Sequence, residues 1–187
     1  MKRLLSVVLL SILVFTWAGC THREGGIATL VNSSEYKRLK KVAVLPFNNI
    51  SGRKDAGKIV ADIYVAELFK SGKYRVEEPG NIKQFLIQER ITTIGEMEIE
   101  RLKVLGRRLK VDAVVAGTVE EFDDGRGGVP VVSISARMVD SKTGRILWYE
   151  RIKRRGDDYI IIFDIGLVRS ATSLAKKIAK EMIDRIE

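Results

Sequence analysis

The stretch that decides the fold is Val131-Val132-Ser133-Ile134-Ser135-Ala136-Arg137-Met138, continued by the turn Ser141-Lys142-Thr143-Gly144 and then by Arg145-Ile146-Leu147-Trp148. Val132, Ile134, Ala136 and Met138 alternate with Ser133, Ser135 and Arg137. This is the period of two that sends apolar side chains to one face of a strand and polar ones to the other, and it predicts a half-buried strand. Ile146, Trp148 and Ile152 mark the next strand, which ends in the basic Lys153-Arg154-Arg155, and Gly144 supplies the positive φ that a tight hairpin requires. Upstream, Asp112 to Phe122 carries Val114-Val115-Ala116-Gly117 and also reads as strand. It is joined to the first by the glycine-rich turn Asp123 to Gly128 (DDGRGG). Two consecutive antiparallel hairpins result.

Earlier in the chain, Lys41-Val42-Ala43-Val44-Leu45-Pro46-Phe47 is a compact apolar run suited to a buried strand, with Pro46 near its end, where a missing N–H matters least. Asn48 to Lys54 is a loop by composition. From Asp55, a candidate N-cap, Ile59, Val60, Ile63, Tyr64, Leu68 and Phe69 recur at helical spacing up to Gly72 at a C′ position. Lys73 to Glu77 alternates as a short strand, and Pro79-Gly80-Asn81 opens a helix carrying Ile82, Phe85 and Leu86. Glu96 to Leu109 predicts a third helix, with Arg107, Arg108 and Lys110 at its carbonyl end. The last element is expected to run from about Tyr159 to Ile186 as a long amphipathic helix with Leu167, Ala171, Leu174, Ile178 and Met182 on one face. Its first residues, Tyr159 to Phe163, fit a short strand equally well, and they either bury against the sheet or form an apolar contact surface. The order β-α-β-α-α-β-β-β-α predicts an α+β fold, a single domain with one mixed β-sheet packed with helices.

The amino terminus has a separate meaning. Met1-Lys2-Arg3 is a basic n-region, Leu4 to Phe15 is an apolar run broken only by Ser6 and Ser11, and Thr16-Trp17-Ala18-Gly19 leads to Cys20, the one cysteine of the chain. That is the layout of a secretory signal peptide, and the apolar stretch falls short of the roughly 20 residues a membrane-crossing helix needs. A cysteine directly after Ala-Gly resembles a bacterial lipobox, in which cleavage before Cys20 and lipidation of its sulfur leave a covalently anchored mature protein. Residues 1–19 are then a signal peptide, 20–40 a lipidated tether and 41–187 the folded domain. Thr21, where an Asp would imply inner-membrane retention, points to the periplasmic face of the outer membrane. Acyl chains on Cys20 hold such a protein to a membrane by about 0.8 kcal/mol per buried methylene.

Composition narrows the function. The chain has 187 residues, 45% hydrophobic and 30% charged, a globular profile, and its single Cys and single His exclude an intramolecular disulfide and a His-pair metal site. The net charge of +9 would suggest a nucleic-acid partner in a cytoplasmic protein, but export makes nucleic acid an unsuitable one. The excess positive charge fits a solvated basic surface or contact with anionic headgroups or an acidic protein, with Arg151, Lys153, Arg154 and Arg155 the candidate group. The paired carboxylates Glu77-Glu78, Glu120-Glu121, Asp123-Asp124 and Asp157-Asp158 are adjacent in sequence. On a strand this sends them to opposite faces, which is unsuited to paired acid/base work. Asp140 to Gly144 reads as a hairpin turn, and Gly125 to Gly128 as a loop between strands rather than a phosphate cradle leading into a helix. No catalytic residue, metal ligand or cofactor is expected beyond the lipid on Cys20.

Three phrases resemble a known superfamily: Val42-Ala43-Val44-Leu45-Pro46-Phe47-Asn48-Asn49-Ile50-Ser51-Gly52; Leu105-Gly106 followed by Val111-Asp112-Ala113-Val114-Val115-Ala116-Gly117-Thr118-Val119; and Met138-Val139-Asp140-Ser141-Lys142-Thr143-Gly144-Arg145-Ile146-Leu147-Trp148. Together they are similar to the superfamily of the curli-secretion lipoprotein CsgG, the penicillin-binding-protein activator LpoB and the amino-terminal domain of TolB, over about Lys40 to Glu187. The resemblance implies a non-enzymatic envelope lipoprotein that acts by protein–protein contact, accessory to secretion, envelope assembly or peptidoglycan synthesis. An alternative is an oligomeric subunit of a curli-type export channel. Candidate partner contacts are Asn48, Asn49, Ser51 and Gly52 in the loop and Tyr159, Ile161 and Phe163 in the apolar run, with envelope proteins and further copies of the chain as partners. Cys20→Ser is expected to move the protein from the membrane fraction to the soluble periplasm. Continued membrane retention would overturn the lipobox reading.

Overall fold

A computed structural model describes residues 27–30, 38–91, 97–126 and 128–186. The expected signal peptide and Cys20 lie outside the described residues. The strands are β1 (Ile27–Leu30), β2 (Lys41–Val44), β3 (Asn48–Asn49), β4 (Arg75–Val76), β5 (Ala113–Asp123), β6 (Val131–Asp140) and β7 (Ile146–Arg155); the helices are α1 (Ala56–Ser71), α2 (Pro79–Gln88), α3 (Ile99–Leu109) and α4 (Ala171–Asp184), with a 3-10 turn at Gly156–Tyr159. They form one mixed sheet in the order β1-β7-β6-β5-β2-β4, with β3 paired to β5 beyond β2. The α+β class and the predicted succession of elements hold, with two additions.

The first addition is β1. Ile27–Leu30 falls within the stretch whose composition suggests a tether, yet it pairs antiparallel with β7, Ile27 opposite Arg151 and Leu30 opposite Trp148. The long edge of β7 offers unpaired backbone groups, and a segment as short as Ile-Ala-Thr-Leu satisfies them. The second addition is β3. Pro46 has no N–H to give to the ladder, so the predicted strand Lys41 to Phe47 breaks there. The pairing with β5 runs through β2 to the Leu45 N–H on the Val115 carbonyl at 2.9 Å, and it resumes at Asn48, opposite Thr118.

Alternation along β5, β6 and β7 sorts the core. Val115, Val119, Ile134, Met138, Trp148 and Ile152 are buried in one cluster with Tyr64 and Leu68 of α1 and Leu174, Ile178 and Met182 of α4. Full burial of each such side chain contributes about 1.5–3 kcal/mol. The Tyr64 ring lies 4.9 Å from that of Phe47, and its hydroxyl meets the Met182 sulfur. On the opposite face Ala43, Leu45, Val114, Ala116 and Val139 pack with Ile82, Phe85 and Leu86 of α2 and Leu102 and Leu105 of α3. Those two helices reach β2 and β5. On β6 that cover reaches Val139, and the stretch of the same face around Ser135, Arg137 and Tyr149 stays partly exposed.

Two helix ends differ from expectation. Asp55 does not cap α1: its φ is 64° and its side chain makes no capping bond. Gly72 does end that helix, its N–H donating to the Phe69 carbonyl at 3.3 Å. The last helix begins at Ala171 rather than near Tyr159. Phe163, Asp164 and Gly166 all have positive φ, incompatible with a continuing helix. Ser170 takes the N-cap position instead, its hydroxyl accepting the Ser173 N–H at 3.2 Å.

Candidate interaction surfaces

The sheet face left open by α2 and α3 carries the polar half of the alternation. Thr118, Ser135, Arg137 and Tyr149 surround a shallow depression of about 60 Å³ floored by Ala116, Gly117 and Ala136. It has room for a few waters but not for an organic substrate. Among the described residues, the Arg137 guanidinium makes no hydrogen bond or ion pair. Farther along the face, Arg151 pairs with Glu120 at 2.6 Å and Lys153 with Glu121 at 2.7 Å, while Ser133 donates to Glu120 at 2.9 Å. The Arg151 guanidinium and the Ser133 hydroxyl hold the Glu120 carboxyl below the usual carboxylate range.

Glu120 and Glu121, expected on opposite faces, both reach cations that share one face of β7. The cause is the register shift between Val119 and Glu121 on β5, a bulge that breaks the simple alternation. The remaining members of the basic group diverge. Arg155 pairs with Asp157 at 3.2 Å. Arg154 points to the other face, buried, where Glu181 of α4 accepts from it at 2.8 Å. Beside it Glu150, with no exposed surface, pairs with Arg185, and burial pushes its carboxyl up from its ordinary value. Arg154 therefore ties α4 to β7, and the other three cations are each matched by a carboxylate.

The loop Asn48 to Gly52 is held from within. Asn49 Oδ1 accepts from the Ser51 hydroxyl at 2.7 Å and its N–H at 3.2 Å, and Asn49 Nδ2 donates to the Arg53 carbonyl at 2.8 Å. Asn49, Ile50 and Gly52 remain exposed. Arg53 next to this loop pairs with Asp124, whose other oxygen accepts the Ala171 N–H at 3.0 Å. Asp124 thus satisfies one of the free N–H groups at the start of α4 and ties three segments together. The Ala171 N–H and the Arg53 guanidinium hold its carboxyl below the ordinary range.

The segment after β7 forms a closed loop. The Val168 N–H donates to the Gly156 carbonyl at 3.0 Å, fixing its neck. A Cβ on Gly156 would lie 2.1 Å from the Val168 oxygen, and one on Gly166 2.1 Å from the Tyr159 oxygen, so both positions require glycine. Tyr159 is half-buried, with the Lys177 ammonium 4.6 Å above its ring. Ile161 and Phe163 are 82% and 91% exposed, so burial against the sheet does not hold for them, whereas Tyr159 packs against the core. The candidate contacts Asn49 and Phe163 thus lie on separate elements.

Sequence reading missed Thr118, Ser135, Arg137 and Tyr149 as a surface. The polar alternation Ser133-Ser135-Arg137 carried that signal, but nothing in it says whether a helix covers the face. Asp124 was visible only as half of a carboxylate pair. Among the described residues, no group of three or more His, Cys, Asp or Glu side chains is placed to hold a metal.

The described residues form an open mixed sheet with helices on both sides and one partly bare face. The chain belongs to the CsgG family, described by the curli production assembly/transport component CsgG, whose model matches residues 27–159. The match begins at the first residue of β1. Among solved structures the fold is similar to the PelC dodecamer from Paraburkholderia phytofirmans, with 20% identity, 85% of this chain and 96% of that one covered, and a TM-score of 0.54. It is also similar to the lipoprotein GNA1162 from Neisseria meningitidis, with 22% identity, 79% and 99% covered, and a TM-score of 0.56. No curated protein matches the sequence significantly.

Because the Asp124 carboxyl is held below its ordinary value, the stability it confers is complete above the unfolded pKa and is lost as pH falls through the lowered native one. Asp124→Ala is expected to destabilise the domain by about 0.5–1 kcal/mol at neutral pH, the range for a partly exposed cap. That difference should shrink progressively as pH falls below the ordinary carboxylate range. Urea unfolding across pH checks this, and an undiminished difference in acid would contradict the assignment.

Proposed function

We propose that this protein is a lipid-anchored component of the bacterial envelope that works by holding other proteins rather than by catalysis. It would serve secretion, envelope assembly or peptidoglycan synthesis from the periplasmic face of the outer membrane. The observation that carries this reading is the partly bare face of β5, β6 and β7 in a member of the CsgG family. The residues on that face are suited to polar recognition: Arg137 has no partner among the described residues, Tyr149 offers an amphipathic ring, and Thr118 and Ser135 offer hydroxyls. The loop Asn48 to Gly52, held rigid by Asn49, is a second contact site. Acid/base catalysis has little support here, since Glu120, Glu121, Asp124 and Asp157 are each engaged by a cation.

Copies of the same chain are among the proposed partners. The similarity to PelC, solved as a dodecamer, supports this. A second reading, a subunit of an export channel, is favoured by the assembly and transport component that describes the family. Against a pore formed by these strands, β5, β6 and β7 are committed to a sheet whose one face packs under α1 and α4. The acylated protein, extracted in mild detergent and measured by light scattering with the detergent subtracted, is expected to be a closed multimer, since head-to-tail contacts that close give rings. A monomer would contradict self-assembly and leave an adaptor for other envelope proteins.

A further inference from the structure

Of the eleven large apolar side chains exposed among the described residues, five fall between Ile160 and Ile165. Scattered exposure of single apolar residues needs no explanation, whereas a cluster of this kind marks a contact. The cluster is also rigidly presented. Ile161 and Ile165 join through an N–H to carbonyl bond of 2.8 Å, and the Ile165 N–H closes the turn on the Ile162 carbonyl at 2.8 Å. Phe163 and Asp164, with φ of 43° and 62°, form the tip, as in the hairpin turn with two left-handed central residues. The neck between Gly156 and Val168 fixes the whole hairpin to the end of β7.

The position of the hairpin identifies what it meets. Because β1 is antiparallel to β7, with Ile27 opposite Arg151, the chain comes into the sheet at the end where β7 leaves it and the hairpin loop begins. Cys20 precedes Ile27 by seven residues, a chain length of no more than about 25 Å. A bilayer holding acyl chains on Cys20 therefore lies close to this end of the sheet. Arg151, Lys153 and Arg155 at this end are matched by Glu120, Glu121 and Asp157, so insertion of apolar side chains, rather than attraction to headgroups, would supply the contact.

We propose that the Ile160–Ile165 hairpin tip inserts into the interfacial region of the bilayer that carries the lipid of Cys20. The domain then sits with the carboxyl end of β7 toward the membrane and its bare face standing off the surface. The proposal rests on the lipid-anchor reading, and the test separates the two.

Trp17 belongs to the expected leader and Trp148 is fully buried, so the emission of Trp148, recorded in the same vesicles with protein lacking a tip tryptophan, is subtracted to leave the signal of the tip. Full-length acylated Phe163→Trp, and Ile161→Trp as a second variant, are reconstituted into vesicles of phosphatidylethanolamine and phosphatidylglycerol, with and without brominated acyl chains. Flotation first reports the anchor. The expected result is co-flotation, emission shifted to the blue relative to detergent-free Cys20→Ser protein carrying the same tryptophan, and a several-fold loss of that emission in brominated vesicles. Solvent-like emission from floated protein would overturn the insertion while leaving the anchor intact. A blue shift without bromine quenching would show the tip covered by protein, a second copy or another chain, and would also overturn it. Failure to float would remove the anchor reading and this proposal with it.

Discussion

The antiparallel ladder of β5, β6 and β7 is the constraint on which the rest of the structure depends. With side chains alternating at a period of two, a slip of one residue would carry Ile134, Met138 and Trp148 out of the core and bring Ser135 and Arg137 into it. Once the register is set, one face must be covered, and α1 and α4 cover it. The other face is covered only where α2 and α3 reach. The pairs Glu150–Arg185 and Arg154–Glu181 then fix how α4 lies on β7. One Glu150 oxygen is buried without a partner, and a pair with so much desolvation contributes little net stability.

Much of this was legible in the sequence, for a physical reason. The Ser-Ile-Ser-Ala-Arg-Met alternation, the Pro79 helix start and the Gly72 helix stop are local signals, and local geometry obeyed them. The errors arose where a distant group decided the outcome. β1 forms because β7 offers an open edge far along the chain, and no composition within Ile27–Leu30 announces that partner. The start of α4 moved to Ala171 because Phe163, Asp164 and Gly166 take left-handed conformations, Ser170 caps the helix, and Asp124, far back in the chain, accepts the Ala171 N–H. The bulge after Val119 put Glu120 and Glu121 on cations of one face, which sequence adjacency alone argued against. The candidate site was harder to read than the fold, since a polar strand face reads the same whether or not a helix lies over it.

Two surfaces with different chemistry emerge at different places. The bare face around Arg137 and Tyr149 is polar and shallow, a form suited to recognising another protein surface through hydrogen bonds and an aromatic ring. The hairpin tip around Phe163 is apolar and projects beyond β7, beside the point where the chain arrives from Cys20. In the proposed arrangement the tip would orient the domain at its membrane and leave the bare face accessible to partners. This division of labour suits a family defined by an assembly and transport component.

The central claim is that the bare sheet face is a protein-binding surface, and site-specific photocrosslinking in living cells tests it most directly. A photoreactive side chain in place of Arg137 is predicted to yield discrete protein adducts, either with further copies of this chain or with another envelope protein. The same group in place of exposed Lys176 on α4, away from that face, is predicted to yield none. Absence of adducts from Arg137, with the protein correctly localised and folded, would contradict the account.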